Sequence, residues 1–133
     1  MPAFWRARRQ PMPEARREKA ERQGRWAELA ALWSLRLKGY RLLAHRYKSP
    51  YGEIDLIMRR GSVTAFIEVK ARRSADTAID SVTAFQAKRI AAAARSWMGR
   101  DARAARNFCR FDIVAVSPYH WPRHVENAFY GDD

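Results

Sequence analysis

Two short stretches, GEIDLI at 52–57 and FIEVK at 66–70, set carboxylates inside apolar runs. Only Gly61 and Ser62 separate the strands to which they belong. Runs of Ile, Leu, Val and Phe bounded by turn residues are strands. Gly followed by Ser suits a two-residue hairpin with positive φ at its first position. If Arg60 pairs with Val63, the register follows: Asp55 lies opposite Glu68, and Glu53 opposite Lys70. Side chains alternate along a strand, so Glu53 and Asp55 share one face, as do Glu68 and Lys70 on theirs.

Opposed like charges destabilise a sheet. Two carboxylates a few ångströms apart call for a shared proton or a bound cation. Oxygen donors favour a hard ion, Mg²⁺ or Mn²⁺, that keeps several waters. A lysine beside one carboxylate can hold or polarise a water, which is the equipment for metal-assisted phosphodiester hydrolysis. The plainer alternative is a solvated surface hairpin, since a one-residue slip removes the opposition. Glu28 lies beside Leu32 and Leu35 on the first helix, so its face is not purely solvent. It suits either a third acid that binds the metal or orients its water, or a partner for the helix N-terminal dipole.

The remaining chain supplies helices around this hairpin. Trp26, Leu29, Ala30, Trp33 and Leu37 recur at helical spacing from Gly24, and Gly39 ends the run. Residues 40–47 read as a first strand, and residues 71–81 as a polar loop. Thr83 and Gln86 have the spacing of a capping box before an Ala-rich helix that runs to Met98, with Gly99 as its stop. Residues 110–116 form a further strand, and 124–129 a short edge strand. Arg110 and Asp112 flank Phe111 as a local structural pair, and Trp97 reads as core. The order α-β-β-β-α-β gives an α/β (α+β) fold, a mixed sheet flanked by helices.

Charge adds a partner. The 133 residues carry 26 Lys and Arg against 14 Asp and Glu, a net charge of +12. Residues 1–25 hold eight basic and three acidic residues, and the rest hold eighteen and eleven, so the excess belongs to the folded part as well. Such a field favours polyanions, nucleic acid before anionic membrane. Residues 1–23, with three prolines and no apolar stripe, read as a mobile basic arm, and 24–133 as one domain. The single Cys109 excludes a disulfide framework. No apolar run spans a membrane and no secretory segment opens the chain. The expected location is the cytoplasm.

Asp55 followed by Glu68-Val69-Lys70 resembles the D…(D/E)-x-K signature of restriction-endonuclease-like nucleases. More closely, residues 24–129 resemble the YraN-like family of small bacterial proteins. The matching pieces are GRWAELA at 24–30, GYRLLA at 39–44, GEIDLI, FIEVKAR at 66–72, RFD at 110–112 and NAF at 127–129. The family is similar in fold to archaeal Holliday junction resolvases. The resemblance implies Asp55 and Glu68 as metal carboxylates, Lys70 as the catalytic lysine and Glu28 as the additional acid. It also sets Gln86 and Lys88 on a helix that faces such sites. Family members often carry Asn where this chain has Arg46, and their glycine-containing loop is replaced here by residues 74–79. Both departures bear on substrate contacts.

The functional expectation is a Mg²⁺- or Mn²⁺-dependent nuclease acting on DNA rather than RNA, with branched or structured DNA as substrate. Arg46, Arg59, Arg60, Arg72, Arg73 and Lys88 are its candidate phosphate contacts. A homodimer is expected by analogy, because cutting a junction requires two active sites. The alternative function is a non-catalytic nucleic-acid-binding protein that keeps the nuclease fold.

Overall fold

A computed structural model describes residues 14–103 and 108–129, with side chains from Gly24 onward. The elements are α1 (Glu14–Leu37), β1 (Arg41–Ser49), β2 (Gly52–Arg60), β3 (Val63–Lys70), α2 (Ala75–Asp80), α3 (Ala84–Met98), β4 (Phe108–Ala115) and β5 (Arg123–Val125). The strands form one sheet in the order β1-β2-β3-β4-β5. Only β3 and β4 are parallel, joined by a crossover through α2 and α3, so the sheet is mixed as expected. No described helix is long and apolar enough to cross a membrane.

The helices cover the sheet from two sides. Ala27, Ala31, Leu32 and Leu35 of α1 pack on Leu56, Met58, Ala65, Ile67 and Val114. Ile90, Ala93 and Ala94 of α3 pack on Ile54, Ile57 and Phe66. A smaller cluster joins Ala78 of α2 to Ile113 and Ala115. Small residues on both helices let their backbones approach the sheet closely. Gly52 shows how closely: a Cβ there would sit 2.4 Å from the carbonyl oxygen of Arg89. Thr83 and Gln86 form the expected reciprocal cap, which fixes where α3 begins.

Four expectations need correction. α1 begins at Glu14, ten residues before Gly24. Glu18 and Glu21 each stand four residues before an arginine, spacing that supports a helix without an apolar stripe. Residues 1–13 of the expected arm lie outside the described residues. The apolar spacing of α1 does not mark its core face: Trp26, Leu29, Trp33 and Leu37 are all exposed. Residues 75–80 of the expected loop form α2, capped by the Ser74 side chain, which accepts from the Thr77 N–H. The last strand is only Arg123–Val125, and Asn127 just beyond it has φ +53.

Candidate functional site

The hairpin register is the one derived from Gly61-Ser62. Arg60 faces Val63 and the ladder runs to Leu56 facing Ile67, and Gly61 has φ +60. Asp55 and Glu68 come next, and there the regular ladder gives way. The Val69 N–H donates to Asp55 Oδ2 at 2.8 Å, so a side chain takes the place of a main-chain acceptor. On the other side, His45 faces Leu56 and Tyr47 faces Ile54. Arg46 between them lies across from Asp55 with φ +54, a backbone conformation that Asn adopts more readily than Arg. Ile54 packs on the α3 side and Leu56 on the α1 side, so strict alternation breaks at Asp55. The acid sits where strands separate, which frees its carboxylate from the pleat.

Asp55 and Glu68 open into a cleft of about 250 Å³ that Glu53, Gln86, Arg89 and Ile90 also line. Burial pushes the Glu68 carboxyl up to about 9; the hydrogen bond with Asp55 and its negative charge add to this, and Lys70 only partly offsets it. Lys70 Nζ lies 3.9 Å from Glu68 Oε2, and both side chains are mostly buried. The lysine therefore meets the acid of its own strand, where the register had set it opposite Glu53. Two adjoining carboxylates, one of them disfavoured as an anion by burial and by its neighbour's charge, are a fitting donor set for a hard dication. Among the described residues no three His, Cys, Asp or Glu side chains group closely enough to hold a metal, so water would fill the remaining positions.

Glu28 takes another position. Its carboxylate is mostly buried, meets His45 Nε2 at 2.7 Å and accepts from Arg46 Nε at 3.0 Å. It does not line the cleft. Its bearing on the site runs through Arg46. The Glu28 hydrogen bond and charge raise that guanidinium's pKa, and the fields of Asp55 and Glu53 raise it further.

The candidate cations divide. Arg72 and Arg73 are exposed just past Lys70. Lys88 is exposed on α3 but does not line the cleft. Arg59 is buried, donating to Thr64 Oγ1 at 3.1 Å and to Asp101 Oδ2 at 3.2 Å, and it borders a hollow at the hairpin end with Arg41, Arg60 and Arg103. Arg60 stacks on the Tyr40 ring at 4.6 Å. Both lie at the hairpin end of β2, roughly 15 Å along the strand from Asp55, and not beside the acids. The residue that sequence reasoning missed is Arg89, which lines the cleft and carries its guanidinium over the exposed Phe85 ring at 5.7 Å. Its position three residues after the capping Gln86 was the available signal. His124 lies on edge strand β5 with its side chain buried against Asp112.

Comparison with known sequences adds the family. The chain matches the model of Uncharacterised protein family UPF0102 over residues 27–116. A UPF0102 protein of Mesorhizobium japonicum is 52% identical over 119 residues, which cover 90% of this chain and 95% of the relative. A UPF0102 protein of a Chelativorans species is 51% identical over 113 residues, covering 85% and 91%. One of Rhizobium meliloti is 47% identical over 117 residues, covering 88% and 96%. The matched span runs from the core-facing part of α1 to just past β4 and takes in Glu28, Asp55, Glu68 and Lys70, so the chain belongs to UPF0102, the YraN-like family.

Proposed function

We propose that the protein is a metal-dependent nuclease that hydrolyses phosphodiester bonds of DNA. The observation that carries this is the Asp55–Glu68 pair lining one cleft, with Lys70 Nζ 3.9 Å from Glu68. Deprotonated, the two carboxylates would hold Mg²⁺ or Mn²⁺, which supplies Lewis acidity to a phosphoryl oxygen and makes water a better nucleophile. The Val69 N–H fixes one oxygen of Asp55, which holds the carboxylate beside Glu68. Lys70 positions water or stabilises charge that develops on the phosphate. Arg89, which lines the same cleft, would supply a phosphate contact by swinging its exposed guanidinium off the Phe85 ring. Glu28 is a positioning residue that holds Arg46 across from Asp55. The basic excess captures the polyanion.

The test is cleavage of single-stranded, duplex, flap and four-way DNA with Mg²⁺ or Mn²⁺. Asp55→Asn and Lys70→Ala should each lower the rate by more than the roughly 10–100-fold typical of outer-shell changes at metal sites. Equal activity in wild type and both variants would mark a contaminant and end the assignment. A non-catalytic nucleic-acid-binding protein is the second reading, favoured by the lack of a third grouped ligand among the described residues. Absence of divalent-metal binding would select it.

A further inference from the structure

β3 and β4 run parallel and end together, with Lys70 beside Ala115. The C-terminal ends of parallel strands are where open α/β sheets receive ligands. Here a groove of about 260 Å³ opens between Trp26 of α1, Arg72 and Arg73 after β3, and Ser117 and Pro118 after β4. It shares Arg73, Ser117 and Pro118 with a second hollow of about 390 Å³ that Tyr119 borders. Arg72 stands two residues after Lys70, so this surface adjoins the proposed site in the chain.

The groove and the hollow that adjoins it expose side chains that a folded protein ordinarily covers or pairs. Trp26 is 50% exposed and Tyr119 fully exposed. Tyr119 has φ +66, a strained backbone conformation for a bulky residue, and such strain gathers at functional sites. No described carboxylate pairs with Arg72 or Arg73; the Arg72 guanidinium reaches only the carbonyl of Ala71. Aromatic faces beside uncompensated guanidiniums match the chemistry of unpaired nucleotides, whose bases stack and whose phosphates need cations. Paired bases present only their edges in the grooves, so two open rings gain little from a duplex. A second copy of the chain is a poorer occupant. Packing Trp26 on a two-fold axis would bring two pairs of arginines together without counter-charge.

We propose that this groove binds an unpaired DNA strand, stacking bases on Trp26 and Tyr119 and holding phosphates on Arg72 and Arg73. Resting on the nuclease reading for the position of the cut, it makes the preferred substrate DNA with unpaired nucleotides next to the scissile bond. The test is fluorescence anisotropy in EDTA, with a labelled oligothymidine of about 16 nucleotides and a duplex of the same length. Trp26→Ala and Tyr119→Ala should each weaken single-strand binding about tenfold and leave duplex binding nearly unchanged. Trp26→Phe should restore most of the loss. Trp33→Ala, which removes an exposed tryptophan that borders neither hollow, should change neither affinity. Arg73→Ala should weaken both substrates and lower the salt slope by about one. Equal weakening of both substrates by Trp26→Ala and Tyr119→Ala, or no weakening of either, overturns the proposal. So does a dimer that Trp26→Ala dissociates in sedimentation without changing single-strand affinity. Because EDTA removes the metal, a failure of the nuclease chemistry leaves these affinities untouched, and each reading can fail separately.

Discussion

Asp112→Ala removes the acceptor on which one end of the sheet is assembled. Its carboxylate is fully buried and accepts from Arg110 Nε at 2.8 Å and Nη2 at 2.8 Å, and from the Asn127 N–H at 3.0 Å. His124 Nε2 lies 2.7 Å away. Burial alone would push this carboxyl up, but the hydrogen bonds from His124, Arg110 and Asn127 and the charge of Arg110 hold it below its ordinary 3.8. Removing one member of a buried pair costs about 3–5 kcal/mol, because the partner is left uncompensated. Arg110 keeps Tyr40 Oη at 2.5 Å and Glu126 at 3.6 Å, which moves the expectation toward the lower end. The orphaned Asn127 N–H adds about 1 kcal/mol, for a loss of about 4 kcal/mol. For a chain of this length that lowers Tm by roughly 15 °C. Urea denaturation and thermal melts followed by circular dichroism measure both quantities.

The pH dependence has a definite sign. Asp112 has a depressed folded pKa, so its contribution is present above the ordinary 3.8 and fades as pH falls through the lower folded value. The Asp112→Ala variant should lack that acid-side step. Asp112→Asn keeps the shape and one acceptor, so it should lose less than Asp112→Ala. A loss below about 1 kcal/mol in Asp112→Ala, within the range of ordinary surface substitutions, would refute the reasoning.

Gly52→Ala places a Cβ 2.4 Å from the Arg89 carbonyl oxygen, so α3 must move away from β2 by about an ångström. A stability loss of about 1–3 kcal/mol in urea is expected, and wild-type stability would show that the contact is not tight. Glu28→Gln should change Mn²⁺ affinity by less than about tenfold, because Glu28 acts through Arg46 and not as a ligand. Loss of all Mn²⁺ binding, read by calorimetry, would return Glu28 to the metal.

What was legible in the sequence was whatever a short-range rule dictates. A two-residue Gly61-Ser62 connection leaves the hairpin little freedom, so the Arg60–Val63 pairing and the neighbourhood of Asp55 and Glu68 followed from it. Thr83 and Gln86 placed the start of α3 for the same reason. The break in alternation at Asp55 was not legible, because it depends on Arg46 of the neighbouring strand adopting a left-handed backbone. Periodicity marked α1 as a helix but not its inner face. Large apolar residues lie outside at Trp26, Leu29 and Trp33, and the inner face carries Ala27 and Ala31, which close packing on the sheet requires. Arg59 turned inward toward Asp101, 42 residues away, and no local pattern carries that information.

The proposed chemistry depends on Asp55 and Glu68 forming a cation site. Calorimetric titration with Mn²⁺ near neutral pH, in buffers of different ionisation enthalpy, tests it most directly. One ion should bind per chain, with release of up to one proton, because burial and Asp55 push the Glu68 carboxyl up to about 9. Affinity should rise with pH toward that value, and Asp55→Asn or Glu68→Gln should abolish binding while each variant stays folded. No binding at millimolar Mn²⁺, or binding that survives both substitutions, would contradict it.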